Sequence, residues 1–218
     1  MNAFAKFVSL LAKDTKAMPA IIQQIFQQFA QTTMLEWIGT ITGFLCVYLA
    51  AKQHILNWPI SVISVLTYAY IFYHSKLYGD AVLQLYFLST AIYGWYYWSK
   101  KIKEDDKPIV SFTNREMLFT LIIIVILTVL LGTFLQKMTD SDVPYADGFC
   151  TAVSFVAQFL MTRKVLQNWL LWIFVDICYI PLYFHKGLLL TAILYFAFAI
   201  IAWMGYKDWR VTYRTFML

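Results

Sequence analysis

Polar residues in this chain are pushed to the ends of long apolar runs instead of alternating with them. Seven runs cover 34–51, 55–73, 80–99, 117–136, 146–162, 165–184 and 187–206. A bilayer core about 30 Å thick takes roughly 20 apolar residues to cross as a helix. The runs have that length, which favours helices over strands, so they predict seven transmembrane helices. Many end in Trp or Tyr, as belts at a lipid–water boundary do. A shorter pattern precedes them. In Met18–Ala30, Ile21, Ile22, Ile25, Phe26 and Phe29 share one helical face, while Gln23, Gln24, Gln27 and Gln28 take the other. Pro19 suits the first turn of such a helix. Glutamines interrupt the apolar part, so the segment predicts an interfacial helix and not a signal peptide.

The runs repeat. Asn57-Trp58 opens the second and Asn168-Trp169 the sixth, an offset of 168 − 57 = 111 positions. The same offset pairs Thr40 with Thr151, Phe44 with Phe155, Leu49 with Leu160 and Tyr68 with Tyr179. It also pairs His74 with His185, Gly94 with Gly205 and Trp98 with Trp209. Runs one to three and five to seven therefore read as two copies of one three-helix unit. The fourth run, rich in Ile, Val and Leu over Leu121–Leu131, has no mate. One intervening helix restores the chain direction, so the copies run parallel. The expected organisation is an N-terminal segment over 1–33, a first repeat over 34–99 and a charged linker with a connecting helix over 100–145. A second repeat over 146–206 and a tail over 207–218 follow. Pro108 stops any helix from continuing out of Lys100–Lys107. Two copies of one unit within a membrane build a binding site or pathway between them.

Composition agrees. The chain is 61% hydrophobic and 13% charged, which excludes an ordinary soluble domain. Aromatic residues reach 19%, more than lipid anchoring requires. The net charge of +5 does not point to nucleic acid, because the cations sit in loops and report topology. Lys52, Lys100, Lys101, Lys103, Lys107, Arg115, Arg163, Lys164, Lys207, Arg210 and Arg214 fall on one side, eleven in all. Lys6, Lys13, Lys16, Lys76, Lys137 and Lys186 fall on the other, six. The positive-inside rule then puts the C-terminus in the cytoplasm and the N-terminus outside. Cys46, Cys150 and Cys178 lie within apolar runs without close spacing, and read as packing residues, not as a disulfide or metal set. No His-Glu-x-x-His, Gly-x-Ser-x-Gly or Walker loop occurs, and no nucleophile–base pair falls on facing helices. Neither an enzyme nor a metal or cofactor is expected.

Asp176 carries the sharpest chemical signal. It falls halfway along the sixth run, near the bilayer midplane. A carboxylate there costs ~2.5–3.5 kcal/mol on insertion scales, so such residues mark function. No Lys or Arg within this run can pair with it. Trp169, Trp172, Asp176, Tyr179 and Tyr183 recur at spacings of 3, 4, 3 and 4, which is one helical face. The matching face of the second run is Trp58, Ser61, Val65, Tyr68 and Phe72. Two aromatic stripes and one carboxylate suit a cationic aromatic ring, by stacking, cation–π attraction and ion pairing. Trp58 and Trp169 stand near the run ends and suit interface anchoring equally well. Gln84, its repeat mate Tyr195, and Tyr86 can hydrogen-bond a carboxamide or a ribose hydroxyl. The other reading of Gln84 is a bond between helices. Asn57 and Asn168 read as helix caps, and Gln158 is a weaker polar signal. Gly39-x-x-x-Gly43 permits close helix contact.

The Asn-Trp openings, the Tyr-Gly-Trp-x-x-Trp end at 93–98, and Trp172 with Asp176 resemble the PnuC vitamin transporters. The similarity covers roughly residues 34–210. It implies uptake of nicotinamide riboside, an NAD precursor, by facilitated diffusion. A cytoplasmic nicotinamide riboside kinase would trap the substrate by phosphorylation. It also implies an all-α integral membrane protein of the bacterial inner membrane, with the three-plus-one-plus-three helix plan of SWEET transporters, and a homotrimer. On this resemblance Trp58, Tyr68, Gln84, Tyr86, Trp169, Trp172, Asp176, Tyr179 and Tyr195 are the substrate-binding candidates. Relatives that carry thiamin or riboflavin keep another vitamin open, as does a sugar on the same fold. An intramembrane enzyme and a structural protein are more distant alternatives.

Overall fold

The computed structural model describes residues 27, 29–74, 78–100, 108–139, 143–185 and 189–216. Seven long helices follow one another among these: α1 (Met34–Ala51), α2 (Asn57–His74), α3 (Tyr78–Ser99), α4 (Asn114–Met138), α5 (Pro144–Thr162), α6 (Asn168–His185) and α7 (Leu189–Phe216). Gln27 and Phe29–Gln31 are helical as well. The rest of the expected interfacial helix lies outside the described residues, as do most of the charged linker and the side chains of Phe72 and Tyr183.

Local chemistry fixes the helix starts. Thr33 and Thr113 each close a capping box with a glutamate three residues on, Glu36 and Glu116. Each box satisfies orphan N–H groups at both ends of its turn. Pro144 opens α5, where a missing N–H costs nothing. The α1–α2 and α5–α6 turns are built alike. Gln53 and Lys164 both take φ of 55°, and the next residue donates back to the helix: His54 N to Leu49 O at 2.8 Å, Val165 N to Leu160 O at 3.0 Å. Asn57 and Asn168 then tie the turn from the far side. Their amides donate to the carbonyls of His54 and Val165 at 2.8 and 2.7 Å. They hold the preceding turn and do not accept the first N–H groups as N-caps would, because each is already the first helical residue.

The helices close into a ring in which α1 packs on α2, α2 on α3, α3 on α5, α5 on α6, α6 on α7 and α7 on α1. Each of these contacts has a partner at the 111-residue offset. α4 packs on α5 alone, outside the ring. There Gly148 comes so close to Gly132 that an added Cβ would stand 2.6 Å from its backbone nitrogen. The outer surface is apolar. Leu118, Ile122, Val125, Ile126, Val129 and Phe134 of α4 are all exposed, an apolar face far larger than water tolerates. α1 and α4 are long and apolar enough to cross a membrane by length and composition.

Four tryptophans fill one end of the ring. Trp58 meets Trp98 edge-on at 5.2 Å, Trp98 lies 5.9 Å from Trp209, and Trp209 meets Trp169 edge-on at 5.5 Å. None exceeds 4% exposure. The indole of Trp98 donates to Thr162 O at 3.1 Å, and that of Trp209 to Ala51 O at 3.1 Å. Thr162 and Ala51 are themselves one offset apart. The outer two rings press on glycines: an added Cβ would fall 2.3 Å from Trp58 at Gly94 and 2.8 Å from Trp169 at Gly205.

Two features depart from the sequence reading. Lys164, counted as a loop cation, is only 3% exposed, with its ammonium 4.7 Å from the centre of the Trp98 ring. The chain after the linker crosses the α5–α6 turn as a single bridge, Val110 N to Lys164 O and Leu166 N to Val110 O, and covers it. α7 runs ten residues beyond the apolar run that ends at 206. Nothing between Tyr206 and Phe216 breaks a helix, and the extension docks on the α1–α2 turn. There Lys52 donates to Asp208 at 2.7 Å and Gln53 to Thr212 at 3.5 Å. Asp208 lifts the Lys52 ammonium above its ordinary pKa, chiefly by this hydrogen bond.

Candidate functional site

Inside the ring, next to the tryptophan cluster, lies a cavity of about 270 Å³. That is near the lower end of small-ligand pockets, roughly 300–1,000 Å³. All six ring helices line it and α4 does not: Gly43, Cys46, Val47 and Ala50 from α1; Asn57, Trp58, Ser61, Ser64 and Val65 from α2; Gln84 and Phe87 from α3; Gln158 and Met161 from α5; Trp169, Trp172 and Asp176 from α6; Tyr195, Phe198 and Ala202 from α7. Much of this lining is paired at the repeat offset, including Trp58 with Trp169, Ala50 with Met161 and Phe87 with Phe198. The chemistry is not paired. Val65 faces the cavity where its mate is Asp176, Ser61 where its mate is Trp172, and Gln84 where its mate is Tyr195.

Asp176 is the ninth of the 18 residues of α6 and is 3% exposed. Among the described residues no hydrogen bond or ion pair engages its carboxylate. The amides of Gln84 and Gln158 are likewise unengaged. The indole N–H groups of Trp58, Trp169 and Trp172 are buried without a protein acceptor among the described residues. The lining contains no Lys, Arg or His. Buried polar groups in folded proteins are normally hydrogen-bonded, so these unpartnered donors and acceptors about one carboxylate make the cavity a candidate binding site.

Six of the nine sequence candidates line this cavity: Trp58, Gln84, Trp169, Trp172, Asp176 and Tyr195. Three stand behind it. The Tyr179 ring lies 4.6 Å from Tyr195 and backs it. Tyr86 donates to Phe155 O at 2.7 Å and lies 4.2 Å from the Phe155 ring, joining α3 to α5. Tyr68 shares a 3.2 Å hydrogen bond with Thr40 and covers Gly39, joining α2 to α1. Ser61, Ser64, Asn57 and Phe198 line the cavity without having been candidates. Ser64 donates to Gly39 O at 3.1 Å. Ser61 lies on the same face as Trp58 in the heptad spacing, and that was its only sequence signal.

The model of the nicotinamide mononucleotide transporter family matches residues 33–211. The chain belongs to this family. Similar proteins include the nicotinamide riboside transporter PnuC of Escherichia coli (strain K12), 28% identical over 80% of this chain and 84% of that one. The nicotinamide riboside transporter PnuC of Neisseria mucosa is 30% identical over 86% of this chain and 76% of its own. The riboflavin/roseoflavin transporter RibM of Streptomyces davaonensis is 26% identical over 82% and 85%. A crystal structure of the vitamin B3 transporter PnuC superposes with a TM-score of 0.68 at 27% identity, over 99% of this chain and 94% of that one. As a member of this transporter family, the chain is a PnuC-type vitamin transporter of the membrane, and the central cavity is its candidate substrate site.

Proposed function

We propose that this transporter takes up nicotinamide riboside by facilitated diffusion, through the cavity between two parallel three-helix repeats joined by α4 in the SWEET-like plan. The observation that carries the substrate is the lining: one buried carboxylate, three indoles and the amides of Gln84 and Gln158, with no Lys, Arg or His among the lining residues. Nicotinamide riboside offers a pyridinium cation, a carboxamide and a ribose. Asp176 pairs with the charge, Trp172 and its neighbours stack on the ring, and Gln84, Gln158 and Tyr195 meet the carboxamide and hydroxyls. The lining also argues against the mononucleotide of the family's name. A phosphate dianion would find no Lys or Arg there and would be buried beside Asp176, at a cost no hydrogen bond offsets. A second reading, riboflavin, draws on the similarity to RibM. Its uncharged ring can offer Asp176 an N–H or O–H hydrogen bond but no ion pair.

The lining supports facilitated diffusion, with trapping by a cytoplasmic kinase as the step that makes uptake net: Asp176 is the single carboxyl among the lining residues, where proton relays use chains of ionisable groups. The homotrimer and an inner-membrane setting with the N-terminus outside belong to the same proposal. Proteoliposomes test it. Labelled nicotinamide riboside is expected to equilibrate and to show counterflow, and to accumulate only when kinase and ATP are enclosed. Accumulation driven by an imposed proton or sodium gradient would refute facilitation, and counterflow by riboflavin but not nicotinamide riboside would refute the substrate.

A further inference from the structure

A second pocket, of about 280 Å³, opens where the strap after the linker, the start of α6 and the extension of α7 meet. Its apolar floor is Leu166 and Leu170, and above it stand Arg210 and Arg214, one helical turn apart on α7. Both guanidinium groups are exposed, and neither is in an ion pair among the described residues. The recorded ion pair, Lys52–Asp208, uses the neighbouring carboxylate elsewhere. Hydroxyls complete the ring. Ser111 Oγ accepts from Gln167 at 2.9 Å, which leaves its own proton to donate. The Tyr206 and Tyr213 hydroxyls, both in half-buried side chains, have no hydrogen-bond partner among the described residues. The pocket thus combines two guanidinium groups with hydroxyls that can donate and has no carboxylate in its lining, while the Gln167 amide oxygen is taken up by Phe112 N.

We propose that this pocket binds a phosphoryl anion at the membrane surface. Two guanidinium forks and three hydroxyls can meet an anion from several sides, which suits the tetrahedral oxygens of a phosphoryl group, its bridging ones included, better than the flat edge of a carboxylate. Basic pockets between helices at the bilayer surface hold lipid phosphates in this manner, and a soluble phosphate offers the same oxygens. The inference is independent of the cargo, since none of these residues lines the central cavity.

Thermal unfolding of the purified full chain in detergent tests it, with phosphatidylglycerol, diacylglycerol or inorganic phosphate added. Phosphatidylglycerol is expected to raise the midpoint by about 3 °C or more over diacylglycerol, which has the acyl chains without the phosphoryl group. Arg210→Gln with Arg214→Gln is expected to lose at least two thirds of that rise, and Tyr213→Phe part of it. Lys100→Gln with Lys207→Gln removes the same charge outside the pocket and is expected to keep it. A response to inorganic phosphate as well, lost in the same double variant, assigns the pocket to a free phosphoryl anion; a response to phosphatidylglycerol alone assigns it to a lipid headgroup. The proposal is overturned if neither additive raises the midpoint, if the arginine variant responds like the parent, or if the lysine variant loses the response equally.

Discussion

Asp176→Asn isolates the charge of the cavity from its shape. Two unit charges 4 Å apart gain ~1 kcal/mol in water and ~4 kcal/mol at an effective dielectric constant of about 20. At 3% exposure Asp176 sits toward the second limit. Measured losses for truncating one partner of a buried charge pair run to 2–5 kcal/mol or more, and the asparagine oxygen keeps one acceptor in place. A loss of ~2–4 kcal/mol corresponds to roughly 30- to 700-fold in affinity for nicotinamide riboside. The dihydro form of the same molecule supplies the control. It keeps the carboxamide and ribose but has no ring charge, so the parent protein is expected to bind it weakly and the variant to change that little. Isothermal titration of both ligands against both proteins gives the four numbers, and their difference of differences is the charge term alone. The variant is expected to fold, because no protein partner among the described residues holds this carboxylate and the substitution removes a penalty for burying it. If well-folded Asp176→Asn binds nicotinamide riboside as tightly as the parent, or loses the two ligands equally, the ion-pair argument fails and the aromatic walls carry recognition.

Three further outcomes can be measured, two on purified variants and one in intact cells. Trp172→Ala is expected to weaken the charged and the uncharged ligand alike, by tenfold or more in titration, since stacking does not use the carboxylate. Gly94→Ala and Gly205→Ala push on rigid indoles, at 2.3 and 2.8 Å, and are expected to destabilise by ~1–3 kcal/mol in thermal unfolding. Gly43→Ala, whose Cβ meets Ser64 at an ordinary 3.6 Å, is expected to be near neutral. In a background lacking the three native cysteines, Met138→Cys is expected to react with an impermeant thiol reagent from outside and Ser99→Cys only after permeabilisation; the reverse pattern inverts the topology.

The helices were legible because apolar length is a one-dimensional property, and all seven starts fall within three residues of the expected ones. The end of α7 was not, because hydropathy reports where lipid stops and not where a helix does. The Asn57 and Asn168 pair was visible as a repeat but not as its mechanism: whether an amide donates backward or accepts forward depends on which residue is first in the helix. At the site, Trp169, Trp172 and Asp176 were legible from their 3–4 spacing. Tyr179 shares that face, yet Tyr195 from α7 stands between it and the cavity. A face on one helix does not say which neighbour covers it. Tyr86 shows the same gap: two residues from Gln84 in sequence, it points to α5 and bonds the Phe155 carbonyl.

The repeat explains why one carboxylate is enough. Equivalent residues build equivalent walls, and much of what holds the ring together is duplicated: the two positive-φ turns, the two backward amides, the two Trp–Gly contacts and the four-indole cluster whose middle pair, Trp98 and Trp209, joins the halves. Recognition needs the opposite property, since a ligand with one charged end must be held in one orientation. The cavity supplies it by placing Asp176, Trp172 and Tyr195 in one half against Val65, Ser61 and Gln84 in the other. A second carboxylate at Val65 would restore the symmetry and destroy the polarity. It would bury two like charges around a single cation and let the pyridinium bind either way round.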